Sequence, residues 1–133
     1  MQHTRKEQME AFGRFLDILD ELRVKCPWDK KQTNESLRPN TIEETYELCD
    51  ALMRDDKQEI CKELGDVLLH VAFYAKIGSE TGDFDIKDVC DRLCEKLIFR
   101  HPHVFASFSR TLISSDKQIF PLPTRAHLTA PSA

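Results

Sequence analysis

From Leu64 to Ile77 the chain is apolar in almost every direction. On a helix, Leu64, Val67, Leu68, Leu69, Val71, Ala72, Phe73, Tyr74, Ala75 and Ile77 cover nearly the whole circumference. A helix that is apolar all round is one that packing takes out of water. The chain of 133 residues is long enough for one domain with a real core, so this helix is expected to be an inner member of a packed set. At its start stand Glu63 and Asp66. A spacing of three leaves two helical side chains about 60° apart and one turn along the axis. Carboxylates on a buried helix need a partner, because an unpaired buried charge is strongly disfavoured.

A matching acidic run lies upstream. Residues 43–47 read E-E-T-Y-E, and fifteen residues (48–62) separate them from E-L-G-D. Glu44 and Glu47 repeat the spacing of three. Around Glu47, the residues Glu43, Glu44, Asp50 and Ala51 make one face; Ile42, Tyr46, Leu48, Cys49, Leu52 and Met53 fill the opposite arc. If the two helices run antiparallel, four carboxylates converge on one point, and that point calls for a cation. All-oxygen ligands suit Mg²⁺ or Mn²⁺ rather than zinc. Two plainer explanations stand beside this one. Acidic pairs at this spacing are common on solvated faces, and Thr41-x-x-Glu44 is a formal capping box that would make Glu44 a helix-start residue.

The rest of the chain reads as further helix. Residues 5–24 carry Met9, Phe12, Leu16 and Leu19 on one stripe, ending before Pro27. Residues 25–36 read as a polar loop holding the only tryptophan, Trp28. It either stacks on a base, with Lys30 or Lys31 meeting a phosphate, or plugs the end of the bundle. The acidic helix is expected from about Pro39 or Thr41 to Arg54. Asp55-Asp56 is the turn, Asp56 the next cap, and the apolar helix runs to about Glu80 with Gly82 closing it. Asp85 caps a last helix in which Lys96 and Arg100 lie one turn apart, before Pro102. They suit a phosphate, and equally the negative end of the helix dipole. His101 and His103 flank Pro102. His70, inside the apolar helix, reads as a satisfied core histidine. The fold class is therefore all-α: an antiparallel bundle of about four helices, completed by dimerisation, since one helix is apolar all round.

A net charge of −4 argues against nucleic acid as a partner. There is no apolar run long enough to span a membrane and no signal-like N-terminus, so a cytoplasmic location is expected. Cys26, Cys49, Cys61, Cys90 and Cys94 contain no C-x-x-C and are expected to be buried thiols. Residues 106–133 lose helical periodicity and turn to Ser, Thr and Pro. Arg110, Lys117 and Arg125 against Asp116 give this tail +2, leaving −6 on the body. The expected division is a domain over 1–105 and a disordered tail over 106–133.

The blocks C-P-W-D-K-K-Q-T, S-L-R-P, E-E-T-Y-E, E-L-G-D-V-L-L-H and K-L-I-F-R-H-P-H-V-F, in this order over about residues 5–105, closely resemble the MazG family of nucleoside triphosphate pyrophosphohydrolases. The resemblance implies a helical homodimer or higher oligomer that hydrolyses an NTP or dNTP at the α–β bond to NMP and pyrophosphate with Mg²⁺. It matches Glu44, Glu47, Glu63 and Asp66 to metal ligands, and Lys96 and Arg100 to the triphosphate. Glu43 takes a water-orienting part, and Trp28, Lys30 and Arg38 are further candidates for substrate contact. After Phe105 the chain departs from the family pattern, which keeps open an alternative, a non-catalytic MazG-like regulator. A di-iron bundle protein would need Glu-x-x-His motifs, and the sequence has none.

Overall fold

The computed structural model describes residues 2–105. Among them are α1 (Arg5–Lys25), α2 (Pro27–Lys30), α3 (Asn34–Met53), α4 (Lys57–Glu80) and α5 (Ile86–Arg100). A helical turn at 102–105 follows. The described residues contain no strand, so the all-α expectation holds. They divide into two compact units, one through Ile86 and one from Lys87. The tail expected over 106–133 lies outside the described residues.

In the first unit α1 begins at a reciprocal capping box. The Thr4 hydroxyl accepts from the Glu7 amide, and the Glu7 carboxylate accepts from the Thr4 amide. The helix stops at Cys26, before Pro27. The stretch 25–36 is more ordered than an irregular loop. Pro27, with its φ already set for a helix, opens the single turn α2, and a second capping box between Thr33 and Ser36 starts α3 at Asn34. The acidic helix therefore begins several residues earlier than Pro39 or Thr41. Pro39 sits inside it, where its missing N–H removes one helical hydrogen bond near an exposed end. Thr41 is mid-helix, not a cap, and its hydroxyl donates to the Leu37 carbonyl at 3.1 Å.

The turn from α3 to α4 follows the expected chemistry. Asp55 takes φ 53°, a left-handed value that Asp tolerates better than most residues. The Asp56 side chain then accepts from the Glu59 amide at the start of α4. The connection is short, so α3 and α4 are antiparallel neighbours and pack along their length. At the other end Gly82 adopts φ 72°, which needs no Cβ. The core joins Leu19 of α1, Leu37 of α3, and Ala72 and Phe73 of α4, flanked by Phe15, Leu16, Tyr74 and Ile77. Arg23 fastens this end. Its guanidinium holds Glu80 through Nε and Nη2 at 2.8 and 2.9 Å, donates through Nη1 to the carbonyls of Asp29 and Gln32, and lies over the Phe73 ring.

Three expectations of burial are corrected. In this chain α4 is covered on one side only: Glu63, His70, Ala72, Phe73, Ala75 and Gly78 are buried, while Leu64, Leu68, Leu69 and Val71 are exposed. On α3 the covered stripe differs from the expected one. It runs Leu37, Thr41, Glu44, Leu48 and Ala51, of which Leu37 and Ala51 are fully buried and the other three half-buried, whereas Ile42, Tyr46, Leu52 and Met53 of the apolar arc are exposed, Tyr46 at 73% and Met53 at 87%. The cysteines are free, but Cys49, Cys61, Cys90 and Cys94 are exposed and Cys26 is only half-buried. Cys49 shares the outward arc of α3, so its exposure has the same cause.

In the second unit α5 carries Leu93, Leu97 and Phe99 partly exposed, and none of its residues is buried. His101 Nδ1 lies 2.6 Å from the Leu97 carbonyl. This resolves His101 as a helix-end donor to a terminal carbonyl.

Candidate metal centre

Glu44 of α3 and Glu63 and Asp66 of α4 each bring a carboxylate oxygen to within 4.8 Å of the others. The turn at Asp55-Asp56 makes this possible, because it folds α4 back so that the acidic turn of each helix faces the other. Among the described residues no other group of three His, Cys, Asp or Glu converges in this way. Glu63 is only 4% exposed. Lys62 supplies the nearest positive charge, with Nζ 3.1 Å from Glu63 Oε1 and 3.9 Å from Asp66 Oδ2.

The electrostatics are those of a crowded anionic site. Burial, then the neighbouring charges of Glu47, Asp66 and Glu63, push the Glu44 carboxyl up to about 7. Glu47 itself is exposed. It stands outside the converging three, yet its carboxylate is close enough to act on Glu44. Two buried oxygens, Glu44 Oε2 and Glu63 Oε2, have no hydrogen-bond partner, which is unusual for buried polar atoms. A cation ligated by both would satisfy them. The donors are all oxygen, as a hard divalent ion prefers. The residues present thus fit such an ion.

Glu43 is exposed one residue along α3. Lys96 and Arg100 are both exposed on α5, one turn apart, in the second unit. Arg38 is exposed on α3. Trp28 is 58% exposed on α2 and plugs nothing in this chain. It and Lys30 belong to the turn that Arg23 ties to Glu80. Glu80 lies fourteen residues past Asp66 on α4, about 20 Å at 1.5 Å per residue. Within one chain, the turn tied to Glu80 therefore lies at the C-terminal end of α4, and the carboxylates in its first half.

Beside the carboxylates is a polar cluster that the sequence only hinted at. Thr41 Oγ1 is 2.5 Å from both His70 Nδ1 and Tyr74 Oη. His70 is indeed a satisfied core histidine, and burial holds its imidazole below the ordinary range, against the opposing charge of Asp66. The signal for this cluster was the spacing Asp66, His70, Tyr74, one stripe at intervals of four.

Residues 32–105 match the model of the MazG nucleotide pyrophosphohydrolase domain. The chain belongs to the MazG family. Among its relatives, the nucleoside triphosphate pyrophosphohydrolase of Escherichia coli K12 is 47% identical over 104 residues, covering 76% of this chain and 40% of that protein. The nucleoside triphosphate pyrophosphohydrolase/pyrophosphatase MazG of Thermotoga maritima is 50% identical over 102 residues, 75% of this chain and 40% of that one. YabN of Bacillus subtilis, whose function is uncharacterized, is 50% identical over 96 residues, 71% of this chain and 20% of its own length. The chain thus spans about two fifths of the MazG relatives from E. coli and T. maritima. No helix among the described residues is long and apolar enough to cross a membrane.

Proposed function

We propose that this chain hydrolyses nucleoside triphosphates at the α–β bond, releasing NMP and pyrophosphate, with Mg²⁺ held by Glu44, Glu47, Glu63 and Asp66; Mn²⁺ can substitute. The observation that carries the reading is the convergence of three carboxylates with two buried, unpartnered oxygens, in a chain of the MazG family. When bound, the ion supplies charge neutralisation for a polyphosphate and a lowered pKa for an attacking water. The protein's own part is to hold these carboxylates together. Glu43, exposed at the edge of the cluster, orients water. Lys96 and Arg100 are assigned to the triphosphate, where a guanidinium forks onto phosphate oxygens and offsets charge that grows during reaction.

Arg38 stays a candidate for substrate contact on α3. Trp28 and Lys30 belong to the turn tied through Arg23 to Glu80, itself about 20 Å along α4 from Asp66, which sets them apart from phosphates held at the same chain's carboxylates. We assign them to a nucleotide held by a second copy of the chain. A homodimer also accounts for the outward apolar arc of α3 and the uncovered leucines of α4, because monomeric proteins rarely leave contiguous apolar surface of that kind in water. A cytoplasmic location, where nucleotides are abundant, completes the reading.

The test is a mixture of the eight common NTPs and dNTPs with Mg²⁺, assayed for pyrophosphate and for nucleoside monophosphate. Pyrophosphate and monophosphate in equal amounts are expected, and EDTA abolishes both. Release of inorganic phosphate in place of pyrophosphate would refute cleavage at the α–β bond. No turnover at all would leave a binding protein.

A further inference from the structure

Thr41, His70 and Tyr74 meet at one oxygen. Thr41 Oγ1 is 2.5 Å from His70 Nδ1, 2.5 Å from Tyr74 Oη and 3.1 Å from the Leu37 carbonyl. A hydroxyl has one proton to give and two lone pairs to accept with. The Leu37 carbonyl can only accept, so Thr41 donates there and accepts from the other two. His70 then presents Nδ1–H and Tyr74 its O–H. Every partner is satisfied by this one arrangement, and it joins α3 to α4 through directional bonds.

Its place on the seam is what gives it a function. Thr41 is one turn before Glu44 on α3, and His70 is one turn after Asp66 on α4. The polar cluster is thus the next step along the same interface as the carboxylates. Three carboxylates lie within 4.8 Å of one another, and whenever they ionise together they push the two helices apart at that point. The apolar residues of α3 covered on the same stripe are Leu37, Leu48 and Ala51, and their contacts are non-directional. Hydrogen bonds weaken steeply with distance and angle, so a cluster of them fixes a register that apolar packing leaves loose. Buried polar groups that specify register are the best-attested use of such costly interactions.

We propose that Thr41, His70 and Tyr74 form a positioning latch, which sets the register of α3 on α4 and thereby holds Glu44 at binding distance from Glu63 and Asp66. None of the three needs to touch the ion or the nucleotide. The proposal rests on the cation-binding reading above.

The experiment measures Mn²⁺ affinity without nucleotide, by calorimetry or by the free-ion electron paramagnetic resonance signal, on the full chain. Thr41→Val keeps the shape of threonine and removes the hydroxyl. It is expected to weaken Mn²⁺ binding about tenfold or more, in line with losses on removing groups that support metal ligands. Thr41→Ser is expected to restore affinity to within about twofold of the original. Urea denaturation of each variant is recorded alongside. A merely structural role would lower stability and leave the affinity of the folded protein unchanged, and that result overturns the latch. Should Thr41→Val fail to fold, Tyr74→Phe removes a single O–H; a loss of about twofold or more supports the latch and an unchanged affinity overturns it. If the unsubstituted protein binds no Mn²⁺, the cation reading itself fails and the latch with it. Normal binding by the original chain with equal binding by Thr41→Val overturns the latch alone.

Discussion

Glu44→Gln should remove a pH-dependent weakness from the metal-free protein. In the folded chain burial and the neighbouring carboxylates push Glu44 from its ordinary 4.5 up to about 7. The folded state therefore keeps a proton that the unfolded state has released, and stability falls wherever the folded state binds more protons. Glu44's contribution is fully present below about pH 4.5, is lost as pH rises through about 7, and changes little beyond. At about 1.4 kcal/mol per unit the shift sets a ceiling of about 3 kcal/mol. Glu44 is only partly buried, and screening by water reduces the expected loss to about 1–2 kcal/mol. Glutamine does not titrate, so the variant lacks this loss. Groups such as Glu80, held low by Arg23, slope the opposite way at acid pH and cancel when the two proteins are compared.

The assay is urea denaturation followed by far-ultraviolet circular dichroism at fixed protein concentration, from pH 5 to 8 in EDTA. The quantity read is the stability of Glu44→Gln minus that of the original, which should rise by about 1–2 kcal/mol across the range. At pH 8, Mg²⁺ at one hundred times its dissociation constant should return about 2.7 kcal/mol to the original protein and much less to the variant. Parallel stability curves in EDTA would refute the like-charge account of the site. Equal stabilisation of both proteins by Mg²⁺ would refute Glu44 as a ligand.

Each of Glu47→Gln, Glu63→Gln and Asp66→Asn should nearly abolish Mg²⁺-dependent pyrophosphate release at unchanged helix content, and substantial activity in any two of them would sink the four-carboxylate site. Arg100→Ala should lower kcat/KM by roughly ten- to a hundredfold, about equally for every nucleotide, with lysine restoring only part; unchanged kinetics beside a lowered Tm would leave Arg100 to the helix dipole. Arg23→Met, which strips Glu80 of its bidentate partner and the 29–32 turn of its donor, should cost about 2–4 kcal/mol in urea denaturation, and a loss under about 0.5 kcal/mol would show the clamp to be idle. Light scattering should find a dimer that does not dissociate before unfolding; a stable folded monomer at micromolar concentration would contradict it.

The helices were legible because their signals are local. Thr4, Asp56, Pro27 and Gly82 act on backbone groups within a few residues of themselves, and α1, α4 and α5 run close to the expected bounds. The start of α3 was misread for a local reason too. The expected start was Pro39 or Thr41, with Thr41-x-x-Glu44 as a formal capping box; the structure starts the helix at the Thr33–Ser36 box and carries Pro39 inside it. The pairing of Glu44 with Glu63 and Asp66 was legible because two spacings of three and a short turn leave little freedom.

Burial was the level at which pattern misled, and the reason is physical. Helix periodicity tells which residues share a face, but not which face meets which neighbour. On α3 the apolar arc of Ile42, Tyr46 and Met53 should have sought the interior, yet the structure covers the stripe of Leu37, Thr41, Glu44, Leu48 and Ala51 instead. Leu37, Leu48 and Ala51 give that stripe apolar packing of its own, with two polar residues set among them. Two things on α4 meet the polar residues of this stripe: the hydroxyl of Tyr74 and the imidazole of His70, which meet Thr41, and the carboxylates of Glu63 and Asp66, which meet Glu44 and which, on the proposed reading, share a cation with it. On the proposed reading a second copy covers the exposed Ile42, Tyr46 and Met53, and the orientation of this one helix then links the proposed cation site to the proposed self-association.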